Sequence, residues 1–276
     1  MKSPLRKRLP RELKGEIGKY LVVLILMIAT IGFVSGFLVA DGSMIKAYNE
    51  GFEKYKIEDG NFRVKKKITK AQQENIEKNG VTLYENFYLE EALDNGSTMR
   101  IFKNREEINL VCLMEGKLPE KAGEMAIDRM YADNNKISVG DTLKSGSQKW
   151  KVTGFVALSD YSCLFQNNND SMFDAIKFDV AMVTQEGFDS LHKTVHYSYT
   201  WNYVDTPADE VEQKAKSDDF MKALLTQVVC DDIELEDYMP RYANLAINFA
   251  TDDMGSDKAM GGVLLDILIV IIAFIF

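Results

Sequence analysis

Hydrophobic and polar positions divide the chain into apolar ends and a patterned middle. Leu21 to Ala40 is a run of twenty residues without a charge. As a helix it rises about 30 Å, the thickness of a bilayer's hydrocarbon core, and it predicts a transmembrane helix over 20–40. The alternative, a cleaved signal peptide, has an apolar region of roughly 7 to 15 residues that ends in small side chains. Here Leu38 and Ala40 would stand at the two positions that need them. Met44, Ile45, Tyr48, Phe52 and Tyr55 then recur at helical spacing and predict a stalk helix over 41–56. At the far end residues 261–276 are apolar except for Asp266. They read as a truncated second transmembrane helix, because sixteen residues rise only about 24 Å. A complete anchor and a buried core helix are the alternatives. Tyr242, Leu245 and Phe249 share a helical face ahead of it, which predicts a second stalk over 241–260. Tyr48, Phe52, Leu245 and Phe249 are therefore candidate coupling residues, if the two stripes pair and do not each pack on the domain between them.

Between the stalks the pattern is mixed. Residues 60–65 read as a strand, 69–79 as a helix opened by Thr69 and closed by Gly80, and 81–89 as a strand. A second unit of the same kind follows: strand 196–204, a helix over 208–229 after Pro207, and a strand around 230–236. The stretch 107–184 is rich in strands and turns. In it Trp150, Val152, Gly154 and Val156 alternate with Lys149, Lys151 and Thr153, and Gly116, Gly123, Gly140 and Gly146 mark turns. Residues 166–171 form a polar loop, exposed and mobile. The expected fold is a membrane-anchored α+β protein, with a split βαβ module over 57–113 and 196–240 and a β-rich insert over 114–195.

Charge adds sidedness. Net charge is −9, but residues 1–20 hold seven Lys or Arg against Glu12 and Glu16, a local +5. Residues 257–276 carry −1, which leaves −13 for 21–256. The positive-inside rule then places the segment 1–19 in the cytoplasm and the main domain outside it, at the cell membrane. So acidic a middle argues against nucleic acid as a partner. With 46% apolar residues the chain has ample material for a buried core.

Candidate chemistry is sparse. The sequence has neither the phosphate-binding loop of nucleotide hydrolases nor the glycine fingerprint of dinucleotide binders. Its two histidines, His192 and His196, stand four apart, but the segment reads as a strand, where that spacing is too extended for a shared metal. Tyr197, Tyr199, Trp201 and Tyr203 line one strand face, as a ligand platform or, more commonly, as core beneath helices. Asp231, Asp232, Glu234, Glu236 and Asp237 lack calcium-loop spacing and suit a solvated face. Cys112, Cys163 and Cys230 form no zinc motif and allow either one disulfide or three free thiols. No catalytic, cofactor-binding or metal-binding residue is assigned, and the chain reads as a non-enzyme without a cofactor.

The basic start before the first span, the segment Glu115-Gly-Lys-Leu-Pro-Glu-Lys-Ala-Gly-Glu-Met-Ala-Ile-Asp128, the pair Ser138-Val-Gly-Asp-Thr-Leu143 and Lys149-Trp-Lys-Val-Thr-Gly-Phe155, and the approach to the second span from Asp253 carry a resemblance over essentially the whole chain. The chain resembles the N-terminal part of an ABC transporter permease of the MacB/FtsX-like class. That resemblance implies an α/β porter module interrupted by a β-rich sabre module, further spans beyond the second, and energy from an ATP-binding partner subunit. It also implies membrane lipid around the spans and a second permease copy or homologue. The implied function is export or the handling of lipoproteins or antimicrobial peptides, by coupling ATP hydrolysis in the cytoplasm to movement of the outer domain. The alternatives are an FtsX-like relay to cell-wall hydrolases and the extracytoplasmic sensor of a signalling receptor.

Overall fold

The computed structural model describes residues 14–248 apart from Ser147, Asn169 and Ser171, and five residues between Gly262 and Val270. The chain divides into two compact units, Met1–Asn49 with Thr251–Phe276, and Glu50–Ala250. In the first, helix α1 runs Ile17–Lys54 without a break and continues into the second unit. Its Ile17–Gly36 part, of mean hydropathy 2.3, is the one helix among the described residues long and apolar enough to cross a membrane. The expected span and stalk are thus a single helix. Asp41 and Gly42 do not end it; within it the hydroxyls of Thr30 and Ser43 donate back to the carbonyls of Leu26 and Val39 at 2.7 and 2.8 Å instead of seeking solvent. Most of the expected second span lies outside the described residues.

The second unit is α+β, with two sheets. The smaller has strands β1 (Gly60–Val64), β2 (Val81–Glu85), β10 (Tyr197–Tyr203) and β11 (Leu235–Pro240) in the order β11-β1-β10-β2, every neighbour antiparallel. Helix α2 (Lys70–Glu77) joins β1 to β2, and α5 (Glu210–Cys230) joins β10 to β11. Each helix therefore connects two parallel strands that have a strand of the other unit between them, an interleaved pair of split β-α-β units. The local signals are plain. Thr69 accepts from the Gln72 amide while Gln72 accepts from the Thr69 amide, a capping box, and Gly80 turns the chain at φ +80°. Asp209 caps α5 by accepting from the Glu212 amide at 2.8 Å.

The two helices pack on each other over one sheet face, where Ile76, Phe220 and Leu224 meet Phe62, Tyr199 and Trp201. The aromatic row of β10 is thus core: Tyr199 stacks on Phe62 at 5.5 Å, and Trp201 lies 4.9 Å from Phe220. Two expectations shift here. The strand expected over 230–236 begins at Leu235, since α5 runs on to Cys230 and Asp232 turns at φ +51°. The strand expected over 81–89 is two strands, because the chain changes sheets at Asn86–Phe87: Phe87 is buried in the smaller core and Tyr88 in the larger.

The larger sheet has seven strands: β3 (Tyr88–Ala92), β4 (Thr98–Lys103), β5 (Cys112–Gly116), β6 (Glu124–Asp128), β7 (Thr142–Ser145), β8 (Gln148–Ala157) and β9 (Phe178–Val183). Six run in the order β3-β4-β9-β6-β8-β5, with β7 beside β8. Residues 88–103, expected with the split module, therefore belong to the larger sheet, and the boundary lies near 86 and not 113. Two short helices, α3 (Arg129–Asn135) and α4 (Gln185–Ser190), interrupt the expected run of strands. On β8, Trp150, Val152 and Val156 are fully buried as the alternation requires, yet Thr153 and Phe155 are buried too, so the middle of this strand is covered on both faces.

Gly60 stands directly opposite Trp201 in the β1–β10 register, and a Cβ there would overlap the indole and come within 2.8 Å of the Met239 carbonyl. Gly60→Ala should therefore cost about 1–3 kcal/mol of stability in urea unfolding. Gly51→Ala, in α1 with nothing within 4 Å, should instead stabilise by up to about 1 kcal/mol. Equal stability of Gly60→Ala and wild type would contradict this account of the core.

Candidate functional site

Where α1 ends, three distant segments meet. Lys56 adopts φ +47°, which stops the helix, and the amides of Tyr55, Lys56 and Ile57 close back on the carbonyls of Gly51, Glu53 and Phe52. The loop after β4 holds the chain just past the helix: the Leu110 amide donates to the Tyr55 carbonyl at 2.7 Å and the Asn109 amide to the Lys56 carbonyl at 3.0 Å. Asn109 then reads the next turn of chain with its side chain. Its Oδ1 accepts from the Glu58 amide at 2.9 Å, and its Nδ2 donates to Glu58 Oε2 at 2.6 Å. Asn61 donates to the other Glu58 oxygen at 2.6 Å. The loop itself is anchored by Arg105, whose guanidinium grips Asp160 through two bonds of 2.7 and 2.8 Å.

Asp59 fastens the other side. Its carboxylate accepts from the Tyr203 amide at 2.9 Å and pairs with Arg241 at 3.0 Å, while the Arg241 amide donates back to the Asp59 carbonyl at 2.8 Å. Gln213 of α5, with its amide oxygen turned toward Arg241, accepts from both remaining guanidinium nitrogens. The Arg241 guanidinium also lies 5.0 Å from the centre of the Phe52 ring. The last segment of the domain and the first are thus held together through one arginine. Farther along, Ser162 donates to the Ala246 carbonyl.

A cavity of about 70 Å³ opens beside Glu58, lined by Arg63, Arg100, Tyr88, Asp160 and Asp237 among others. Tyr88 is gripped from both sheets: Arg63 of β1 donates to its hydroxyl at 2.9 Å, and the Arg100 guanidinium of β4 lies 4.4 Å from its ring centre. Arg100 further bonds Glu90 and the Tyr161 hydroxyl. The acidic run near β11 supplies partners as well as solvated surface, with Glu236 bonded to Arg63 and Glu234 to Lys65 at 2.6 Å. Asn168 reaches from the polar loop to Asp237 at 2.6 Å.

Burial, and then the nearby Asp160, push the Glu58 carboxyl from 4.5 to about 7, against the amide donors Asn61 and Asn109. Burial raises Asp59 too, with Arg241 opposing. The arrangement holds no nucleophile beside a base. It can bind chain segments to each other and store a proton.

The candidate coupling residues fare unevenly. Phe52 is half-buried under Arg241, and Leu245 is 48% exposed at the cleft. The side chain of Tyr48, and Phe249 altogether, lie outside the described residues. The second stalk does not begin as expected: Arg241–Ala243 is a 3₁₀ turn, Asn244 is extended, and a helix starts only at Leu245, capped by Asn244 accepting from the Ala246 and Ile247 amides. Tyr242 and Leu245 therefore do not share one continuous helix. His192 turns at φ +47° and His196 stacks on Tyr88 at 4.7 Å, so they occupy separate settings. Cys112, Cys163 and Cys230 are all free thiols. Sequence reasoning missed Glu58, Asp59, Arg105, Asn109, Asp160 and Arg241; its one local signal was the acidic pair standing directly before β1.

No family model matches the chain, and no curated protein matches it.

Because the folded Glu58 holds its proton up to about pH 7 and the unfolded group only to 4.5, its contribution to stability is complete below 4.5 and is lost as pH rises through 7. Asp59, Asp128 and Asp179, also raised by burial, push in the same direction. Glu58→Gln should flatten the curve, so that its Tm gains on wild type by on the order of 5 °C between pH 5 and pH 8 in thermal melts. A constant Tm difference across that range would show that Glu58 is ionised throughout.

Proposed function

We propose that the chain is the N-terminal part of a permease subunit of an ABC transporter, of the MacB/FtsX-like class, with Glu50–Ala250 as its extracytoplasmic domain. The four-stranded sheet would be the porter-like module and the seven-stranded sheet the sabre-like insert. The chain would lie in the cell membrane with its N-terminus in the cytoplasm, partnered by an ATP-binding subunit and by a second permease copy or homologue.

The observation that carries this reading is the junction at Asp59 and Arg241. An apolar helix long enough to span a bilayer runs without a break to Lys54, and a few residues later the chain is fastened both to the sheet and to the segment that leaves the domain. A helix that ended in a loose linker would lose any displacement at its end; a capped and ion-paired one passes it on. Phe52, under Arg241, is the coupling residue best supported by its surroundings, and Leu245 sits where a change of cleft width would be felt. Tyr48 and Phe249 keep that role as helix-face neighbours in the sequence pattern. The interleaved β-α-β units, interrupted between β2 and β10 by a strand-rich insert, have the order of parts that the resemblance implies.

The test is to purify the protein, with whatever follows residue 276 in its gene, from native membranes in mild detergent and to identify what stays bound. An ATP-binding subunit should co-purify, with ATP turnover that falls when cysteines at Phe52 and Leu245 are cross-linked. A bound cell-wall hydrolase in the same complex would favour the relay. A cytoplasmic kinase without an ATP-binding transporter subunit would overturn the permease reading in favour of a sensor.

A further inference from the structure

Helices α2 and α5 cover one face of the smaller sheet, and alternate residues of its strands point the other way. On that second face the register sets Arg63 of β1 opposite Ser198 of β10 and Asp237 of β11, with Asn61 opposite Met239. The larger sheet answers with Tyr88, Arg100 and Phe102, which share one face of the β3–β4 pair. All of these side chains line the cavity of about 70 Å³ beside Glu58. It is therefore enclosed by strand residues of both sheets.

The wall of this cavity is rich in donors that have nothing to bond. The Tyr88 hydroxyl accepts from Arg63 Nη1 and the Tyr161 hydroxyl from Arg100 Nη1, each at 2.9 Å. A phenol that accepts from a guanidinium keeps its own proton to give. Neither proton has an acceptor among the described residues, and the Ser198 hydroxyl and Arg63 Nη2 have no partner there either. Tyr88 is only 4% exposed, a setting in which an unmade hydrogen bond is costly. The two guanidinium charges are already balanced, Arg63 by Glu236 and Arg100 by Glu90. Asp237 is not. It accepts from Asn168 and from the Tyr238 amide, and among the described residues it forms no ion pair. A simple anion would find the donors but also this uncompensated carboxylate, whereas a zwitterion satisfies both.

We propose that the cavity binds a small free amino acid. Its carboxylate takes the hydroxyls of Tyr88, Tyr161 and Ser198 and the spare N–H groups of Arg63, and its ammonium group goes to Asp237, the neighbour of Arg63 across the β1–β11 pair. The volume has room for about half a dozen water-sized groups, enough for glycine, alanine or serine. A longer side chain would have to extend into the adjoining hollow of about 290 Å³, which shares Arg63, Arg100 and Asp237 with the cavity. The assignment rests on the cavity alone and holds whether or not the chain is part of a permease.

The probe is radiolabelled L-alanine, dialysed to equilibrium against the full chain in detergent micelles. Propionate, which lacks the ammonium group, and alaninamide, which lacks the carboxylate, serve as competitors. Alanine should bind saturably, and each competitor should be about tenfold weaker or more. Tyr161→Phe and Ser198→Ala, each losing one hydroxyl, should weaken alanine about three- to tenfold. Asp237→Asn keeps an oxygen for Asn168; it should weaken alanine about tenfold and leave propionate no weaker, a change of preference that loss of folding cannot produce. Absence of saturable binding at about 10 mM alanine, propionate competing as well as unlabelled alanine, or an Asp237→Asn variant with the wild-type preference would each overturn the proposal.

Discussion

Arg105 and Asp160 have side chains only 5% and 7% exposed, and two charges in that setting are tolerable only together. Two hydrogen bonds join them, and leaving one alone costs about 3–5 kcal/mol in such sites. The pair fixes the loop after β4 on the short turn after β8. That loop in turn offers Asn109 in a left-handed conformation, and Asn109 bonds both the turn just past α1 and Glu58. Take away the ion pair and the hold of Asn109 on the chain after α1 loses its anchor.

The same principle of shared partners joins the two sheets. The chain passes from the smaller to the larger at Asn86–Phe87 and returns at His196, and the two crossings are bonded to each other by Tyr88 and His196 through both backbone bonds and stacked rings. Arginines from β1 and β4 then close on Tyr88. Such a joint has few soft torsions in it.

What could be read from the sequence was local. Thr69 and Gly80 bounded α2 to within two residues, because capping uses neighbours, and the alternating aromatic row of β10 marked one face, most often core beneath helices. The change of sheet at Asn86 was invisible, since apolar residues continue across it and only the destination of Phe87 and Tyr88 differs. Helix α3 is seven residues long, too short for periodicity to show. The junction was illegible for a third reason. Glu58 and Asn109 are 51 positions apart and Arg105 and Asp160 are 55 apart, so no spacing rule links them. The stalk stripes were periodic in sequence, but Asn244 diverts its own side chain to cap a new helix and breaks the second one.

The central claim is that a buried ion pair, acting through Asn109, secures the end of α1 to the domain. Hydrogen exchange over residues 105–111, where the Asn109 and Leu110 amides bond the Lys56 and Tyr55 carbonyls just past α1, tests it most directly. In Asp160→Leu those amides should exchange about tenfold faster or more, and adding Arg105→Met should restore much of the protection by removing the stranded charge. Unchanged protection in the single variant would contradict the claim.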